Sequence, residues 1–153
     1  MDVSHGAQFA RMLVETFDAM TREVTEKLTE AGHAGLTVSN ELAMEAIEEG
    51  AGNAASLARH LGVSRQAAAK TISTLEGLGY VERAADTDDA RRKSLQITAH
   101  GREAIAIGSA AFEQIRVRWE AAVGAHRAAE TEDALRALRD DVAGNLTAPG
   151  EMK

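Results

Sequence analysis

The chain has 153 residues and no cysteine, which excludes disulfides, thiolate catalysis and thiol-based redox sensing. Hydrophobic residues make up 44% and aromatic ones only 3%, so one compact domain can pack a core, but from Leu, Ile, Val, Met and Ala. The net charge of −7 argues against a uniformly basic surface. Segment 54–103, however, carries eight basic against six acidic side chains, a net of +2 that leaves −9 for the flanks, so the middle is the part suited to a polyanion.

In chain order, Phe9, Leu13, Phe17, Met20, Val24 and Leu28 predict a helix over about 7–31, ended by Gly32-His33-Ala34-Gly35. Thr37 or Ser39 caps a second helix expected to bury Leu42, Met44 or Ala46, and Ile47, and Gly50-Ala51-Gly52 stops it. Asn53 caps a short helix from Ala54 to about Leu61, Gly62-Val63 turn, and Ser64 caps a fourth helix to about Leu78. Runs 80–83 and 93–97 alternate as two strands around a loop of Asp and Arg. Thr98 caps a long helix striped by Ile105, Phe112, Ile115, Trp119 and Val123. Thr131 caps a last one carrying Leu135, Leu138 and Val142, and the tail from Thr147 is expected to fray. The start of the chain lacks a basic region followed by an apolar run, which points away from a signal peptide. No apolar stretch approaches the roughly 20 residues a membrane span needs. The expected setting is the cytoplasm, with no membrane partner.

The spacing of Leu57, Ala58, Leu61, Gly62 and Val63 is that of a helix-turn-helix. A small residue sits where two helices cross, and a glycine takes the left-handed backbone of a tight turn. On the fourth helix Ala68, Ile72, Leu75 and Leu78 form the expected core face, with Leu57, Leu61 and Val63 anchoring the pair. Arg65, Gln66, Ala69, Lys70 and Ser73 form another face, whose donors suit base edges and phosphates in a major groove while the small Ala69 permits close approach. Arg59, Ser64 and Lys93 are candidate phosphate contacts. An ordinary helical hairpin with a solvated polar face is the competing reading of this segment. The strand pair behind it forms a wing, with Asp89 two residues from Arg91 and able to hold its guanidinium. Arg91, with Arg92 beside it, would enter the minor groove; a merely solubilising charged loop is the competing reading.

From LARHLGVSRQAAAKTISTLEGLGYVER into DTDDARRKSLQITAHG the chain resembles the MarR family of winged-helix regulators. The Asp89-Ala90-Arg91 of the wing, the Ile97-Thr98-Ala99-His100-Gly101 after it and the 75–81 run carry the resemblance. It implies a mainly α fold with a small β-hairpin: a single domain over 1–153, with a winged helix-turn-helix lobe at 36–101 between dimerisation helices at 1–35 and 102–146. It further implies a homodimer on a palindromic double-stranded DNA operator, acting as a repressor released by a small-molecule effector. The shared dimer core would hold Phe9, Phe17, Met20, Ile105, Phe112, Ile115, Trp119, Leu135, Leu138 and Val142. Ala67 and Ala68 stand where the family commonly has Thr and a larger apolar residue, and Asp86-Thr87 replaces a familiar Asp-Pro. The alternative function is a winged-helix protein-interaction module without sequence-specific DNA binding.

Trp119 could line an effector pocket, although an aromatic at helical spacing is more often core. Histidines at 5, 33, 60, 100 and 126 include no i, i+4 pair. His33, His100 or His126 could meet carboxylates in space, but surface or capping roles are the expectation, with no metal and no cofactor. No Gly-x-Ser-x-Gly, Walker or His-Glu-x-x-His motif is present, and the protein is not expected to be an enzyme.

Overall fold

The computed structural model describes residues 4–85 and 93–147, the side chains of the last three excepted. The order is α1 (His5–Glu30), α2 (Val38–Glu48), α3 (Ala54–Leu61), α4 (Arg65–Gly77), β1 (Val81–Ala85), β2 (Lys93–Ile97), α5 (Ala99–Val123) and α6 (Ala125–Thr147). Mainly helical architecture with one antiparallel hairpin is therefore observed, as the sequence predicts. The chain divides into two compact units, Met1–Phe112 and Glu113–Lys153.

In the first unit the local signals act where they stand. Ser4, Thr37, Asn53 and Ser64 cap α1 to α4, each side-chain oxygen accepting a backbone N–H three residues on. Leu28, Leu36, Met44, Leu57, Ile72 and Leu75 are fully buried and make the centre of the core. Each such burial is worth about 1.5–3 kcal/mol. The hairpin pairs Val81 with Ile97, Arg83 with Leu95 and Ala85 with Lys93. Val81, Leu95 and Ile97 turn inward. Leu95 N–H also donates to the Gly52 carbonyl at 3.0 Å, fastening the α2–α3 loop to β2.

Three apolar positions depart from the core expected of them. Leu42, Val63 and Leu78 are each more than two-fifths exposed, whereas Ala43, Ala46 and Ala68 are buried. On α2 and α4 the inward stripe combines Met44, Ile47, Ile72 and Leu75 with the small Ala43, Ala46 and Ala68, and Leu42 and Leu78 fall outside it, while Val63 lies in the turn between α3 and α4.

Glu41 is almost completely buried on α2, and neither carboxyl oxygen has a hydrogen-bond partner. It lies against Gly108 of α5, where a Cβ would fall on the carboxyl group. Burial, and secondly the nearby Glu45, push the Glu41 carboxyl up to about 7.

The second unit holds the end of α5 and α6. α6 begins at Ala125, directly after Gly124 at φ +92°, and not at a Thr131 cap. One left-handed glycine breaks and restarts the helix, so Thr131 is interior and its hydroxyl donates to the Arg127 carbonyl at 2.7 Å. Arg116 bridges Glu120 and Glu132 at 2.9 and 2.8 Å. Among the described residues no helix is long and apolar enough to cross a membrane.

Candidate nucleic-acid interface

The helix-turn-helix is built from α3 and α4. Gly62 adopts φ +67° and ψ +33°, a left-handed turn disfavoured for a side chain bearing a Cβ. Ser64 Oγ then accepts from Ala67 N–H at 3.0 Å and starts α4 in a new direction. Ala58 is buried at the crossing, with Ala68, Ile72 and Leu75 inward on α4.

The opposite side of α4 carries Arg65, Gln66, Ala69, Lys70 and Ser73, all exposed. Among the described residues none pairs with the Arg65 guanidinium or the Lys70 ammonium, and both side chains are exposed. Thr71 and Thr74 turn their hydroxyls back onto the carbonyls of Ala67 and Lys70, both at 3.1 Å. Ser64 keeps a hydroxyl proton to donate, because its cap uses only the oxygen's acceptor side.

Arg59 of α3 and Lys93 of β2, distant in sequence, line one depression together with Gly50, Gly52, Asn53, Ser56 and Ser94. The sequence marks Arg59 and Lys93 but reads the glycines only as a helix stop. Gly52 has a further role: a Cβ there would collide with Ser94 Oγ, so its absence lets the loop lie against β2. Gly-x-Gly before an Asn cap is a weak signal, and only the fold shows what approaches it.

Two other cations of the basic middle are engaged elsewhere. Arg83 pairs with Glu76 at 3.1 Å and Arg102 with Glu48 at 3.5 Å. Among the described residues of this segment, the cations without an ion-pair partner are Arg59, Arg65, Lys70 and Lys93. Asp89, Arg91 and Arg92 lie outside the described residues. Trp119 is half-buried on α5 in the second unit.

A helix-turn-helix followed by a two-stranded hairpin, with a polar helix face presented outward, defines a winged helix-turn-helix protein. Residues 34–92 match the model of the MarR family. Over that segment the chain is similar to the MarR family, and along nearly its whole length it shares the fold of solved MarR-family transcription regulators. The MarR family transcription regulator SP03579 is 18% identical with a TM-score of 0.74, over 94% of this chain and 92% of that one. CouR from Rhodococcus jostii RHA1, solved bound to p-coumaroyl-CoA, is 19% identical at 0.66, over 90% and 95%. The Mycobacterium tuberculosis MarR family protein Rv2887, solved in complex with salicylic acid, is 26% identical at 0.62, over 90% and 97%. No curated protein matches the sequence significantly.

Proposed function

We propose that the protein is a homodimeric repressor that binds a palindromic operator and leaves it when a small-molecule effector binds. The observation that carries this reading is the outward face of α4. Its cations are unpaired by any described residue, its small Ala69 permits close approach, and the depression holding Arg59 and Lys93 is formed by the same lobe. In this reading Arg65, Gln66, Lys70 and Ser73 read the major groove, and Arg59, Ser64 and Lys93 hold phosphates. Arg91 enters the minor groove, oriented by Asp89, with Arg92 beside it.

Dimerisation is supported by apolar side chains left in water. Phe9, Met12, Val14 and Phe17 are exposed on α1, and Leu135, Leu138 and Val142 on α6, a distribution typical of surfaces that meet a partner. A small-molecule effector is supported by the ligands of the Rv2887 and CouR structures. Trp119 is offered as a residue against which such a ligand would stack.

The test starts from sequences selected from a random DNA pool, with affinity measured by gel shift at fixed salt. Arg65→Ala and Arg91→Ala should each lose about 1–3 kcal/mol of specific binding, and wild-type affinity should fall steeply with added salt. Failure to enrich any sequence, with binding indifferent to salt, would favour a protein-interaction module.

A further inference from the structure

We propose that His33, His100 and Glu103 form a binding site for one divalent transition-metal ion of the zinc class. His33 lies in the loop between α1 and α2, while His100 and Glu103 share the first turn of α5 at i, i+3. One ring nitrogen of each histidine and one carboxylate oxygen of Glu103 lie within 4.8 Å of one another. Two imidazoles and a carboxylate are a borderline donor set that suits zinc, with a fourth position open to water or an exogenous ligand.

The detailed geometry favours a metal over an ordinary ion pair. His33 Nε2 is 3.7 Å from Glu103 Oε1, too far for a hydrogen bond. Among the described residues no lysine or arginine pairs with Glu103. His33 is buried, and its other nitrogen, Nδ1, lies 3.0 Å from the Tyr80 hydroxyl. When Nδ1–H donates to that oxygen, Nε2 presents its lone pair on the side facing Glu103. This is the outer-shell arrangement by which a protein fixes the tautomer of a metal-binding histidine.

The supporting frame is anchored. The His100 ring stacks on Tyr80 with centroids 4.5 Å apart and planes 6° from parallel. Thr98 N–H donates to the Tyr80 carbonyl at 3.0 Å, and the Thr98 hydroxyl to the Gly79 carbonyl at 2.7 Å. His33 N–H donates to Leu28 at 2.8 Å. Ligand atoms on a tetrahedral zinc ion stand about 3.3 Å apart, from bonds of about 2 Å. The cluster must contract, and the two exposed ligands on α5 are the ones able to move. An ion would then tie the α1–α2 loop, the residue preceding β1 and the start of α5 to one point.

Cobalt(II) is the probe. Chelator-treated full-length protein titrated with Co²⁺ should bind one ion per chain with the intense visible band of a four- or five-coordinate site, displaced by Zn²⁺. His100→Gln and Glu103→Gln, both at exposed positions, should abolish the band and weaken binding at least about tenfold. Tyr80→Phe should weaken it by about 10–100-fold as a positioning residue. His126→Gln, outside the cluster, should match wild type, with circular dichroism confirming the fold of each variant. Only the weak absorbance of a six-coordinate ion, or equal affinity in wild type and His100→Gln, would overturn the site. The readout needs no DNA and is independent of operator binding.

Discussion

The two compact units solve the problem of apolar surface in opposite ways. The unit Met1–Phe112 buries Leu28, Leu36, Met44, Leu57, Ile72 and Leu75 completely. In the unit Glu113–Lys153, Ala128 alone among the described residues is buried, while Val117, Leu135, Leu138 and Val142 face water. Its internal ties are ion pairs, Arg116 with Glu120 and Glu132, and Arg136 with Asp133 and Glu132. Exposed ion pairs contribute little to stability. The first unit therefore has a core sufficient to define its fold, while the second needs apolar surface from elsewhere, and a second copy is the source proposed above.

Leu57→Ala against Leu138→Ala tests this contrast with the largest expected effect. Removing Leu57 from the core should cost about 2–5 kcal/mol in a denaturant titration. Leu138→Ala should cost less than about 1 kcal/mol in the isolated chain, yet weaken self-association in sedimentation. Equal losses for the two at a concentration where the chain is monomeric would erase the distinction.

The units also treat acids differently. Both units hold acids in surface ion pairs, but among the described residues only the first also encloses one, Glu41, whose carboxyl oxygens have no hydrogen-bond partner. An ordinary carboxyl titrates near 4.5 and this one near 7, chiefly through burial. The folded chain thus holds the proton more tightly than the unfolded one. The stability linked to Glu41 is fully present below about pH 4.5, declines as pH rises from there to about 7, and is gone above it. Glu41→Gln should flatten that decline and leave the variant more stable than wild type by about 2 kcal/mol at pH 8. Stability curves for both proteins from pH 5 to 8 check it, and parallel curves would show that Glu41 is not the titrating group.

How far the sequence discloses this architecture follows the range of the forces involved. The caps Asn53 and Ser64, the left-handed Gly62 and the alternation in 93–97 are local, and each lies where the sequence places it. The outward face of α4 is legible for the same reason, since helical period and caps fix which residues share a side. The exposure of Leu42, Val63 and Leu78 was not legible, because periodicity defines a stripe but not how closely its neighbour packs. Thr131 fits the pattern of a cap, but Gly124 had already restarted the helix. Arg59 and Lys93 lining one depression, and His33 lying beside His100 and Glu103, depend on loops returning to distant elements, which no spacing encodes.

The finest test of the contrast between units uses glycine. In a helix interior Gly→Ala ordinarily stabilises, because alanine loses less backbone freedom on folding. Gly144 in α6 has open space where a Cβ would stand, so Gly144→Ala should gain about 0.5–1 kcal/mol. Gly101 in α5 is buried, and a Cβ there would fall on the Tyr80 carbonyl oxygen and the Ile97 side chain. That carbonyl already accepts from Thr98, and backbone cannot rotate away as a long side chain can. Gly101→Ala should therefore lose about 1–3 kcal/mol despite the better helix propensity. Thermal melts of the two variants beside wild type should move in opposite directions. A gain at Gly101 would mean that α5 does not approach Tyr80 as closely as drawn, and that the stacked His100 ring and its neighbours are looser than the metal site requires.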